Sequence, residues 1–104
     1  RIRILLHKKL DTDNFYVALD ERGESLTSQN FAKHMSKWNT RTTGKEIVFV
    51  IGGADGFDDE TRAKAGFLLS FGKQTWPHML ARCMLIEQIY RAQQILSGHP
   101  YHRE

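Results

Sequence analysis

Along the chain, apolar residues come in short blocks whose spacing alternates between two periods. Ile47 to Ile51, IVFVI, is five apolar residues with no polar alternation, the pattern of a parallel strand covered on both faces. Phe15 to Leu19, FYVAL, is bounded by Asp-rich and Gly-containing stretches and predicts a second strand. A third, FLLSF, is predicted within 66–71. Between these blocks the period lengthens. Phe31, Met35 and Trp38 recur at i, i+4 and i+7 behind Thr27 and Ser28, either of which can cap a helix, while Lys33 and Lys37 point elsewhere. Asp58 to Ala65 predicts a short helix. A long one starts around Pro77 and stops at Gly98 and Pro100. In Arg1 to Leu10, residues Ile2, Leu5, Leu6 and Leu10 stand at helical spacing, and the stretch reads as the remainder of a helix already under way, with an N-terminal portion missing. Strands separated by helices predict an α/β fold with a parallel sheet, a single domain over 1–104.

Composition narrows this picture modestly. The chain has 104 residues, 15 Lys+Arg against 12 Asp+Glu, and a formal charge of +3, a balance that suits an anionic partner without demanding one. Cys83 is the lone cysteine, so no internal disulfide argues for secretion, and no stretch approaches the roughly 18 consecutive apolar residues of a membrane span. A cytoplasmic protein without a membrane partner is expected.

Chemistry concentrates in two loops. EIVFVIGGADGF, Glu46 to Phe57, leaves a strand through a glycine turn, and loops at the carboxyl ends of strands line the crevice of an open α/β sheet. GGADG is neither the G-x-G-x-x-G of a dinucleotide site nor a P-loop, since Gly72-Lys73 is followed by Gln74. Asp58, Asp59 and Glu60 open the next helix with carboxylates that repel phosphate, so the turn is expected to hold a ligand not bound through phosphate. The second loop, LSFGKQTWPH from Leu69 to His78, leaves the following strand and lines the same crevice in this reading, with Thr75 or Trp76 as the cap of the long helix. In that helix Met79, Leu80, Cys83, Met84 and Ile86 to Ile89 read as core or interface, and Cys83 as packing. Glu87 and Arg91 make a local i,i+4 pair. His78 and Arg82 lack acidic helix neighbours and form a basic pair that reads either as a contact for RNA phosphate or as a solvated surface. The tail from His99 sets Tyr101 among His102 and Arg103, a composition for stacking on a base and pairing with phosphate. No metal site is expected.

Taken together, FVIGGADGF, LSFGKQTWPH, LARCMLIEQIYRA and GHPYHRE, in that order, resemble the ribosomal RNA large subunit methyltransferase H family of the SPOUT superfamily. The resemblance covers nearly the whole chain. It implies a SPOUT-type trefoil-knotted parallel sheet flanked by helices, a homodimer, and a family N-terminal strand and helix segment missing here. It also implies an enzyme that uses S-adenosylmethionine to methylate N3 of a pseudouridine in large-subunit rRNA, free or in the assembled ribosome. By the same resemblance the cofactor is held by Leu19, Gly52, Gly53 and the loop Phe71, Gly72, Lys73, Gln74, Thr75 and Trp76, with Asp55 as an acidic neighbour of the sulfonium or of the turn. Tyr101, His102 and Arg103 match the substrate-side tail, with His102 a candidate base because its ordinary pKa, about 6.5, suits proton transfer near neutrality. Two other readings stand beside this one. A non-enzymatic RNA-binding α/β module would use GGADG only as a turn, and a small-molecule methyltransferase of the same fold would not need the basic residues.

Overall fold

The computed structural model describes residues 2–6, 10, 14–52 and 56–98. Four strands, β1 (Ile2–Leu6), β2 (Phe15–Ser25), β3 (Ile47–Ile51) and β4 (Phe67–Ser70), form one sheet in the order β1-β3-β2-β4. Every pairing is parallel, with Ile47 opposite both Ile2 and Phe15. All five residues of β3 are buried, as its unbroken apolar run requires of a strand with neighbours on both edges and cover on both faces.

The two faces of the sheet are read off alternate residues. Ile47, Phe49 and Ile51 join Val17 and Leu69 in a core closed by α1 (Ser28–Arg41) and α3 (His78–Leu96). Val48 and Val50 point the other way, to Tyr16 and Leu10, with Leu5, Phe57 and Ala65 packed against them. The larger core is aromatic. Trp38 lies 5.9 Å from Phe15, 6.1 Å from Phe31 and 5.2 Å from Phe67, ring centre to ring centre. Phe31, Met35 and Trp38 of α1 are buried at their i, i+4 and i+7 positions. Thr27 caps that helix, its Oγ1 accepting from the Asn30 N–H at 3.1 Å.

Three expectations are corrected. Ile2–Leu6 is a strand and not the end of a helix. Apolar residues at 2, 5 and 6 fit a helix, but Ile2 and Ile4 also alternate, and both pack on the larger core while Leu5 turns to the smaller one. Pairing with the edge of β3 decides between the two periods. Strand β2 does not stop at Leu19 but runs on to Ser25, slipping register on β4 between Leu19 and Glu24, both of which oppose Leu69. Finally, α3 is not capped by Thr75 or Trp76. Its N-cap is Pro77, which makes no side-chain cap hydrogen bond. The short helix α2 (Asp59–Lys64) lies within the predicted 58–65, and Asp58 is its N-cap, with Asp58 Oδ1 accepting from the Thr61 N–H at 2.8 Å.

Candidate functional site

All four strands point their carboxyl ends to one side, and a crevice opens there. Its volume is about 270 Å³. Strand β2 supplies Leu19 to Arg22, where its register on β4 slips, the end of β3 supplies Ile51 and Gly52, and the loop after β4 supplies Phe71, Gly72, Gln74, Thr75 and Trp76. Gly56, Phe57 and Arg62 close it from the α2 side, and His78 and Ala81 from the first turns of α3.

The loop after β4 is held in shape by its own ends. The Ser70 hydroxyl, almost fully buried, accepts from the Gly72 N–H at 3.0 Å, and the Trp76 indole N–H donates to the Phe71 carbonyl at 3.2 Å. Between these pins Gly72 takes φ +107°, a conformation that side chains resist, with no other atom within 4 Å of where a Cβ would stand. The cost at this position is therefore one of backbone geometry and not of space.

At Gly52 the reverse holds. A Cβ there would stand 3.1 Å from the Phe57 ring, so the missing side chain admits an aromatic wall of the crevice. The position thus also serves packing, beside the cofactor contact that the resemblance implies for Gly52. Its neighbours Gly53 and Asp55 lie outside the described residues. Gly56, where the turn ends, has φ +73°.

An ion-pair clasp holds the far wall. Asp20 Oδ2 is 3.5 Å from Arg62 Nη1, with only 5% of the Asp20 side chain and 14% of the Arg62 side chain exposed. The Arg62 guanidinium also donates to the Phe57 carbonyl and to the Asp59 carboxylate. The Asp20 carboxylate in turn accepts from the Arg22 N–H at 2.9 Å. One side chain thus joins β2, the turn after β3 and the first turn of α2. Asp58 stays exposed on the outside of this corner. The Thr61 hydroxyl and then the Thr61 N–H, by hydrogen bonding to it, hold its carboxyl below the ordinary carboxylate value.

Of the residues named from sequence as cofactor contacts, Leu19, Gly52, Phe71, Gly72, Gln74, Thr75 and Trp76 meet around the crevice. Lys73 lies in the same loop, exposed and off the lining. His78 and Arg82 separate: His78 is half-buried and lines the crevice, whereas Arg82 is exposed and off it. Tyr101, His102 and Arg103 lie outside the described residues. Sequence reading passed over Asp20, Phe57 and Arg62. The i,i+3 spacing of Asp59 and Arg62 was visible, but nothing local marks Asp20 as the partner of Arg62.

Helix α3 carries apolar residues on two faces. Ala81, Leu85, Ile89 and Ala92 are buried, so Ile89 belongs to the core. Met79, Leu80, Ile86 and Tyr90 are exposed, and Cys83 is a free, exposed thiol and not a core residue. At 100° per residue, Met79, Cys83, Ile86 and Tyr90 fall on one narrow stripe opposite the core. Among the described residues no helix is long and apolar enough to cross a membrane.

A family model described as "Predicted SPOUT methyltransferase" matches residues 2–102. Among curated proteins, one named "Ribosomal RNA large subunit methyltransferase H" from Rhodospirillum centenum is 61% identical over 87 residues, covering 84% of this chain and 57% of that protein. Proteins of the same name from Bradyrhizobium diazoefficiens and Rhizorhabdus wittichii are 56% identical over 87 residues and 54% identical over 95. These alignments cover 84% and 90% of this chain, and 54% and 66% of the respective relatives. The chain therefore spans between about half and two thirds of the length of the relatives it matches.

Proposed function

The chain belongs to the SPOUT methyltransferase family, and from that premise we propose that it transfers a methyl group from S-adenosylmethionine to N3 of a pseudouridine in large-subunit rRNA. The observation that carries this reading is the meeting of β2, the end of β3 and the 71–76 loop around one crevice. Its lining suits this cofactor. Leu19, Ile51, Phe71 and Trp76 offer apolar and aromatic surface for a purine. Glu21, exposed at the rim, places carboxylate charge where a sulfonium is favoured. The described lining holds two arginines, Arg62 engaged by Asp20 and Asp59 and Arg22 3.8 Å from Asp59, and no lysine, so its cations already face carboxylates.

When bound, S-adenosylmethionine supplies a methyl group on positively charged sulfur, open to in-line displacement by a ring nitrogen. The chain's own work is positioning. The pinned loop from Phe71 to Trp76 fixes one wall, and Arg62 fixes the other by holding the Phe57 carbonyl. Thr75 and Gln74 offer polar groups at the crevice for orientation. Removal of the N3 proton is assigned to His102, with Tyr101 and Arg103 as substrate-side residues and Lys73 and Gly53 completing the cofactor loops. Arg82, exposed on α3 and in no ion pair among the described residues, is assigned to rRNA phosphate outside the crevice, and His78 to RNA at the crevice itself. The outward stripe of α3 is the proposed homodimer interface, since an apolar face opposite the core needs cover. With such a substrate the protein is proposed to work in the cytoplasm, with rRNA or the assembled large subunit as its partner.

The test is incubation of the protein with radiolabelled S-adenosylmethionine and large-subunit particles lacking the modification. The expected result is label at N3 of one pseudouridine per particle. Binding of RNA with no transfer, under conditions where the cofactor binds, would favour the non-enzymatic RNA-binding module.

A further inference from the structure

Helix α1 has no acidic residue from Ser28 to Arg41, and its outer face carries Lys33, Lys37 and Arg41 at successive i,i+4 steps. Each step advances the azimuth by about 40°, so the three cations keep to one band of the helix. That band lies opposite the buried line of Phe31, Met35 and Trp38, with Gln29, Ser36 and Thr40 exposed alongside it. Like charges at i,i+4 destabilise a helix, and here two such pairs follow one another. Arg41 has a local explanation, because its guanidinium stands 5.1 Å from the centre of the Phe15 ring and suits the negative end of the helix dipole. Lys33 and Lys37 have none. Their i±3 and i±4 neighbours are Gln29, Asn30, His34, Ser36, Thr40, Arg41 and each other, and neither lysine enters an ion pair among the described residues.

We infer that Lys33 and Lys37, with Arg41, form a phosphate track that anchors an RNA strand outside the crevice. The track spans about 12 Å along the helix, room for several consecutive phosphates of one strand. Its placement fits that use. The start of α1 is tied to α3 by the Ser28 hydroxyl, which donates to Gln88 Oε1 at 2.7 Å, near the carboxyl end of β4, whereas Arg41 lies over Phe15 at the opposite end of the sheet. From Lys33 to Arg41 the track thus leads away from the crevice, where flanking RNA would continue once its target base is seated. Such contacts fix position and carry no sequence information. They act on the Michaelis constant for RNA and leave turnover at saturation alone. This inference rests on the rRNA methyltransferase reading for its substrate and adds a surface that the crevice does not include.

The experiment compares the protein with a Lys33→Gln/Lys37→Gln variant and a charge-keeping Lys33→Arg/Lys37→Arg variant. The probe is a naked transcript of a large-subunit rRNA stem-loop, titrated over a salt series, with thermal melting and S-adenosylmethionine affinity measured in parallel. For the glutamine variant, RNA affinity is expected to fall by roughly tenfold or more at 0.1 M salt, and the salt slope to shrink by about two phosphates' worth. KM for RNA rises while kcat holds, cofactor affinity and melting stay put, and the arginine variant behaves as the parent. Unchanged affinity and slope in a folded, cofactor-binding glutamine variant would overturn the track. So would a loss seen on whole particles and absent on naked RNA, which would point to an acidic protein surface instead. If the slope changed as expected in a protein that bound no S-adenosylmethionine, the track would stand and the methyltransferase reading would fall.

Discussion

Asp20 Oδ2 and Arg62 Nη1 stand 3.5 Å apart with both side chains largely shielded from water, and the same guanidinium reaches the Phe57 carbonyl and Asp59. The crevice wall on this side therefore hangs on one side chain. Truncating it leaves the Asp20 carboxylate buried with only the Arg22 N–H as partner. Arg62→Ala is expected to cost about 3 kcal/mol in chemical denaturation, the low end for breaking a buried pair, and to weaken cofactor binding. Arg62→Lys restores only part of either, because a single ammonium cannot serve three acceptors in fixed directions.

Gly72→Val tests the loop. With open space around the missing Cβ, the loss is one of backbone strain at φ +107°, of order 1–3 kcal/mol, relieved by shifting the loop. A lower melting temperature and loss of S-adenosylmethionine binding are the expected outcome, the second measured well below the first. At Gly52 the obstacle is a ring, 3.1 Å away, so Gly52→Ala is expected to be destabilising and Phe57→Leu in the same chain to relieve it in part.

The N-cap of α2 responds to acid with a defined sign. The Asp58 carboxyl is lowered by Thr61, so its charged form is favoured in the folded state. Its contribution is complete above the unfolded carboxylate value, about 3.9, and is lost as pH falls from there through the lower folded value. Amide exchange at Thr61 is expected to quicken over that window. Asp58→Asn keeps a capping oxygen and removes this pH dependence.

Ile86→Glu places a charge within the exposed α3 stripe of Met79, Cys83, Ile86 and Tyr90. Light scattering is expected to give twice the 12.1 kDa chain mass for the parent and the single-chain mass for the variant, with the fold unchanged by circular dichroism. A parent that scatters as a single chain at micromolar concentration would contradict the dimer.

Where a segment's own residues settle its structure, the sequence was sufficient. The all-apolar β3, the i, i+4, i+7 burial of Phe31, Met35 and Trp38, and the short helix behind Asp58 each follow from local spacing. Strand β1 was misread because Ile2 to Leu6 satisfies two periods at once, and only the edge of β3, far along the chain, chooses between them. The extension of β2 through DERGES was hidden for a related reason, since polar residues at a sheet end are held by a neighbour's backbone and not by their own burial. In the crevice, the motif resemblance led to the loop from Phe71 to Trp76, of which Lys73 is exposed and off the described lining, and the Asp20 to Arg62 clasp has no local sequence signature.

The most direct measurement is calorimetric titration of the protein with S-adenosylmethionine, alongside Gly72→Val and Arg62→Ala. The account expects saturable binding at one site per chain in the parent, absent in Gly72→Val and weakened in Arg62→Ala, whereas a folded parent that takes up no cofactor would contradict it.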